Sequence, residues 1–250
     1  MNHSIMANKL KSLYFTIGVI FILLIWEILS ITYNNEIIFP SILQTLKALG
    51  MLFSKSNFYY ILLYTLLRVL ISIIASFIIG CFFAIISYLK NAIALIISPI
   101  ISLIKTLPIA SIIIVMIILL GHELSPYFIS GFVILPIIYE GIYGGLKKID
   151  QEVLDEVKTI SNFNSIVLRD IYIPLISNDI KTSLLQSVGL GIKVMVMAEF
   201  ISQPTYSIGR ALLDARNNLD YDIVFAWTFI LVIIVIVLEI LLKQKRFKEI

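Results

Sequence analysis

The chain has 250 residues, 60% of them hydrophobic and 14% charged, with a formal net charge of +3, whereas soluble domains carry roughly a quarter charged residues. That balance excludes a soluble enzyme and defines an integral membrane protein, and the length leaves no room for a polytopic domain plus a separate soluble catalytic domain. The basic residues gather near the ends of apolar runs, so the positive charge concerns membrane topology and not nucleic acid.

In chain order, Lys9 and Lys11 precede an apolar run over 12–33. The run is too long for a signal peptide and lacks a small-residue cleavage site, so the first domain (1–33) reads as a tail with a retained first span. In the connection 34–63, Pro40-Ser41 followed by Leu43, Leu46, Leu49 and Leu52 predicts a capped amphipathic helix at the interface. Apolar runs then cover 64–89, 92–120, 126–147, 175–201 and 219–242. With the first run, that gives about six transmembrane helices, each long enough to cross about 30 Å of hydrocarbon. The run 92–120 contains Pro99 and Pro108 and is either one kinked span or two, divided near Lys105-Thr106-Leu107-Pro108. The transmembrane core is thus 64–242, followed by a basic tail at 243–250.

With six spans both termini share a side. Lys9, Lys11, Lys90, Lys147, Lys148, Lys158, Lys243, Lys245, Arg246 and Lys248 all fall there, so the positive-inside rule makes it cytoplasmic. On that side lies a polar interruption, Lys147 to Pro174. Val153, Leu154, Val157 and Ile160 line one helical face, and Phe163, Ile166, Val167 and Ile171 line another. The segment reads as two short amphipathic helices separated by a turn at Ser161-Asn162, with Asn suited to a left-handed backbone. From periodicity alone it serves equally a lipid surface or a protein partner.

No phosphate loop, zinc-binding helix or nucleophile turn of the familiar patterns is present. The single cysteine, Cys81, permits no internal disulfide, and His3 and His122 are too few and too far apart for a histidine metal cluster. Charges within the spans are functional candidates because each costs several kcal/mol in hydrocarbon: Glu27, Lys105, Glu140, Lys193 and Glu199. Lys193 and Glu199 stand about 240° apart around one helix and need separate partners. Glu199 is expected to pair with Lys105 beside Pro108, and Lys193 to face a passage where it attracts an anionic solute. The competing reading for each is a buried interhelical pair that fixes packing. Glu27, beside Trp26, reads as a packing feature. Near Glu140, Gly141, Gly144 and Gly145 permit close helix approach.

At these residues the chain resembles a family. The polar segment is similar to the EAA loop of ATP-binding-cassette importer permeases: Asp155-Glu156-Val157 stands at the Glu-Ala-Ala triplet, Ser161 at the glycine, and Pro174 keeps the thirteen-residue spacing from it. Leu107-Pro108-Ile109-Ala110, Ile192-Lys193 ahead of Ala198-Glu199, Ile208-Gly209 with Leu212, Asp214-Ala215, and Phe225-Ala226-Trp227 look like the nitrate/sulfonate/taurine branch, over most of the chain from about Pro40 onward.

The resemblance implies an all-α type I importer permease fold in a cell membrane, with both termini cytoplasmic and a coupling loop at 148–174. It implies a transport subunit and not an enzyme: a permease homodimer forms the pathway, a cytoplasmic ATPase subunit supplies ATP and Mg chemistry, and an extracytoplasmic solute-binding protein delivers a small, anionic or sulfonate-like solute. No cofactor is expected on this chain. The coupling candidates are Asp155, Glu156, Val157, Ile160, Ser161 and Pro174. Asp155 and Glu156 are expected at the rim of the contact, with Val157 and Ile160 filling an apolar slot on the ATPase. The alternatives are a passive channel or ion-coupled carrier lined by Lys105, Lys193 and Glu199, and a membrane scaffold presenting the polar segment.

Overall fold

The computed structural model describes residues 2–33, 35, 38–161 and 163–244, without the side chains of 2–12, 15, 158, 160 and 242–244. Asn162, Lys245, Arg246 and Lys248 therefore lie outside the described residues, as do the side chains of Lys9, Lys11, Lys158, Ile160 and Lys243. The described residues are helical throughout, with no strand: α1 (Asn2–Tyr33), α2 (Ile42–Ser54), α3 (Ser56–Leu89), α4 (Asn91–Thr106), α5 (Ile109–Lys147), α6 (Gln151–Ile160), α7 (Ser165–Val167), a π turn (Leu168–Tyr172), α8 (Ile173–Leu175), α9 (Ser177–Ser202), α10 (Ile208–Asn217) and α11 (Tyr221–Gln244). Among them five are long and apolar enough to cross a membrane: α1, α3, α5, α9 and α11.

The count differs from six because of how 92–120 is built. Leu107 and Pro108 are both extended (ψ 132° and 125°) and separate α4 from α5. Proline pushes its predecessor out of the helical region and has no N–H to continue the ladder. The run is therefore two helical pieces, α4 and the first arm of α5, each short of a full span. Helix α5 is itself two arms that meet at Gly121, whose φ of 74° and ψ of 179° belong to a region only glycine occupies readily. Ile113 and Ile129, each eight residues from Gly121, share one core cluster with Val194 and Ala198, so the chain folds back on itself there.

The contacts divide the chain into two compact units, Met1–Tyr59 with Ala211–Ile230, and Tyr60–Arg210 with Leu231–Ile250. In the first, Trp26 donates from Nε1 to the Pro40 carbonyl (3.0 Å) and packs on Phe225 at 5.3 Å between ring centres. Glu27 accepts from the Ile42 amide (3.3 Å), placing a carboxylate at the first turn of α2, where the helix dipole favours it. Ser41 closes a capping box with Gln44, as its position before the apolar repeat predicts. The buried face of α2 is Thr45, Ala48, Leu49 and Leu52; Leu43 and Leu46 point outward. Phe58 stacks on Trp227 at 5.2 Å, and both are almost fully buried.

In the second unit, α3 runs parallel to the second arm of α5: Ser72 donates to the Tyr127 carbonyl (2.9 Å) and Ser76 to that of Gly131 (2.8 Å). Helix α9 runs antiparallel to the same arm. A Cβ on Gly141 would stand 2.5 Å from Cβ of Ser183, and one on Gly145 2.9 Å from Cβ of Asp179, so the helices approach at these glycines. Gly144 faces open space and plays no such part. Near the end that carries α6, the core collects Ala84, Ile101, Ile134, Ile138, Tyr139, Ile142 and Leu146.

Gly121→Ala tests the fold-back in isolation, because a Cβ there meets nothing within 4 Å and the cost is backbone strain alone. The expected loss is about 1–3 kcal/mol, read as a lowered thermal transition in detergent, with Gly144→Ala, also in open space, leaving the transition in place.

Candidate functional site: the polar segment and the charges within the spans

The segment after α5 is fixed from within. Leu154 and Val157 on α6, Val167 on α7, Tyr172 in the π turn and Ile176 all join the core cluster built on α3, α4 and α5. Asn164 caps α7, its Oδ1 accepting from the Ile166 and Val167 amides (2.9 Å each), and its Nδ2 donates to Ser161 Oγ (3.2 Å). Ser161 is extended at φ −158°, so the helix ends there without a left-handed residue at that position. The π turn closes with the Ile173 amide on the Leu168 carbonyl, one residue before Pro174, which has no N–H to return to Asp170.

This geometry revises one expectation. Val157 is 8% exposed and belongs to the chain's own core, so it anchors α6 and does not project toward a partner. The outward face of α6 is polar: Gln151, Glu152, Asp155, Glu156 and Thr159 are all exposed. Gln151 donates to Asp155 at 3.2 Å along that face. Beyond the helix, Arg169 pairs with Asp170 at 2.7 Å, and Ile166 and Ile173 are exposed.

The charges inside the spans also pair otherwise than expected. Lys105 bonds both oxygens of Glu140 (2.8 and 2.9 Å), and both side chains are about half exposed. Glu199 lies elsewhere, three residues from the end of α9, fully buried against Arg68 (2.9 Å). The Thr65 hydroxyl donates to the same carboxylate at 2.9 Å, and the Gly209 amide does so at 3.3 Å. Thr65 in turn accepts from the Ile208 amide at 3.0 Å. Arg68 also donates to the Thr205 and Tyr206 carbonyls (2.9 and 3.1 Å) and lies 3.6 Å from Glu123, which accepts from the Thr205 amide and hydroxyl (2.7 Å each).

One buried ion pair thus joins α3 to the end of α9, the connection 203–207 and the start of α10. Gly209 is obligatory here, since a Cβ would fall 2.2 Å from the Phe200 amide nitrogen. Sequence reasoning missed Arg68, although a cation four residues inside the predicted span 64–89 was the signal for it.

Lys193 is exposed on α9 and has no ion-pair or hydrogen-bond partner among the described residues. It belongs to a stripe. Asn178, Thr182, Gln186, Lys193 and Met197 are all exposed and fall within about 100° of the helix circumference, opposite the buried Ser187, Gly191 and Ala198.

These features belong to a helical membrane protein with a broken third span, a polar segment gripped from inside and a polar stripe along one apolar helix. The match to known families makes this specific: residues 76–244 fit the binding-protein-dependent transport system inner membrane component family, and the chain belongs to it. It is therefore a permease subunit of a binding-protein-dependent transporter, a kind of assembly that includes an ATPase and a binding protein. None of the curated proteins matches the chain.

Glu199→Ala removes one half of a buried pair and leaves Arg68 only the exposed Glu123, 3.6 Å away. The expected cost is about 3–5 kcal/mol, seen as a lower thermal transition and faster proteolysis at the connection 203–207. A Glu199→Ala protein as stable as the parent would show the pair to be dispensable.

Proposed function

We propose that the chain is the pathway-forming half of an ATP-driven importer, acting as a homodimer, with 148–174 docked on a cytoplasmic ATPase. The observation that carries this reading is the split character of α6. Its apolar side is locked into the bundle by Leu154 and Val157, while Glu152, Asp155 and Glu156 face outward. A helix attached in this way transmits a push from outside to α3, α4 and α5 without bending away. Its carboxylates disfavour the anionic surface of a cytoplasmic leaflet and suit a protein cleft with basic groups.

The basic residues near the same end, Lys90, Lys147 and Lys148, support a cytoplasmic location by the positive-inside rule. Asp155 and Glu156 then make the charged contacts, Ser161 and Pro174 bound the docking unit, and ATP and Mg are held by the partner. On the opposite side an extracytoplasmic binding protein hands over the solute. ATP-driven closure of the ATPase pair rocks the two permeases between outward-open and inward-open states.

The polar stripe on α9 supports the pathway. A span carrying Asn178, Thr182, Gln186 and Lys193 on one exposed face is costly against lipid and favourable against water or a second copy. Lys193, unpartnered there, attracts an anionic solute, in keeping with the motifs shared with the nitrate/sulfonate/taurine branch.

Reversing both charges, Asp155→Lys with Glu156→Lys, is expected to reduce ATPase co-purification about tenfold or more with the thermal transition unchanged. Full retention of the ATPase by that variant would remove α6 as the docking element. Val157→Asp, by contrast, acts on folding, since it buries a charge in the core. Lys193→Ala is expected to cut solute uptake about tenfold with the ATPase still bound; uptake at the parent rate would place Lys193 outside the pathway.

A further inference from the structure

Between the second arm of α5 and α9, toward the end that carries α6, lies a cleft of about 290 Å³ lined by Ile137, Glu140, Gly141, Asp179, Thr182, Ser183 and Gln186. Its size is just below the usual range of small-molecule sites, about 300–1,000 Å³. Gly141 lets α9 approach closely at Ser183, and beside that contact the polar groups of α9 and Glu140 line a shallow gap.

The hydrogen-bonding state of the lining fixes what the cleft accepts. The Thr182 hydroxyl donates to the Asn178 carbonyl (2.8 Å) and the Ser183 hydroxyl to that of Ile180 (2.9 Å), so each turns only acceptor lone pairs to the gap. The Glu140 and Asp179 carboxylates accept from Lys105 and from Lys148 (3.1 Å), and each retains lone pairs beyond those bonds. The Gln186 amide is the lining group with donors of its own, and it has no partner among the described residues. A ligand that is itself only an acceptor finds two carboxylates and two hydroxyls already committed as acceptors. A ligand rich in N–H groups finds partners on every polar wall.

We propose that this cleft is a binding station for a small ligand bearing N–H donors, an amine or a guanidine, and that it discriminates against simple anions. Glu140 supplies the lone pairs left beyond its bonds to Lys105, Thr182 and Ser183 the neutral acceptors, and Ile137 the apolar wall. Lys193 stands seven residues further along the same face, a rise of about 10 Å, so the anion-attracting group and the donor-seeking cleft are separate. As a binding site the cleft does not depend on the pathway reading above, whose solute is anionic.

The test uses the full chain with its ATPase in lipid nanodiscs, titrated calorimetrically with agmatine and with glutarate, a dianion of comparable length. Agmatine is expected to bind saturably and glutarate not at all. Glu140→Gln and Thr182→Val should each weaken agmatine about tenfold with ATPase retention unchanged, and Thr182→Val should leave the thermal transition in place. Glutarate binding as well as agmatine, no saturable binding of either, or agmatine binding undiminished in both variants would each overturn the inference. Agmatine binding in a protein whose Asp155/Glu156 reversal leaves ATPase docking intact would sink the docking assignment and leave the cleft standing.

Discussion

The architecture of the second unit depends on a carboxylate that has been taken wholly out of solvent. Glu199 is surrounded by the Arg68 guanidinium, the Thr65 hydroxyl and the Gly209 amide. In hydrocarbon an unpaired carboxylate is not tolerated, so α9 can occupy its place only when α3 presents Arg68 at the same depth. Arg68 is planar and forked, and its two terminal nitrogens also donate to the Thr205 and Tyr206 carbonyls, while its buried Nε has no partner among the described residues. A lysine offers a single point charge in its place and leaves that backbone unsatisfied. The connection 203–207, which includes left-handed residues at Gln203 and Tyr206, is thus held by the pair that joins the helices.

Much of this fold was legible from local chemistry. Apolar length located the spans, Pro108 located the break, and the Ser41 cap located α2, because each depends on neighbours in sequence. Pairings across the bundle were less legible. Glu199 and Lys105 share opposite charge, but depth along the helices decides the partner. Lys105 ends α4 beside Glu140, whereas Glu199 lies near the far end of α9. Arg68 was readable as a cation in a span but not as the partner of a residue 131 positions away. The fold-back was legible as the break between the apolar runs 92–120 and 126–147, whereas the positive φ of Gly121 that makes it was not.

The polar segment shows how periodicity can identify an amphipathic helix and still leave its orientation open. An apolar face serves a partner's slot or the protein's own core equally well in sequence. Burial decides for the core: Leu154 and Val157 hold α6 to the bundle, and its acidic side is what remains for contact.

The same reasoning applies to α9, whose two sides obey different rules. The buried side is made of small residues, Ser183, Ser187, Gly191 and Ala198, which let α5 approach. The exposed side is a row of side chains with hydrogen-bonding capacity that grows more polar toward α6, from Met197 through Lys193 to Gln186, Thr182 and Asn178. A helix facing lipid has no use for such a row. One facing a second copy by dry packing would leave Lys193 unpaired at the contact, which is the costly case for a buried charge. The arrangement consistent with both constraints is a hydrated face, with water or solute satisfying the stripe while the small-residue side fixes its position.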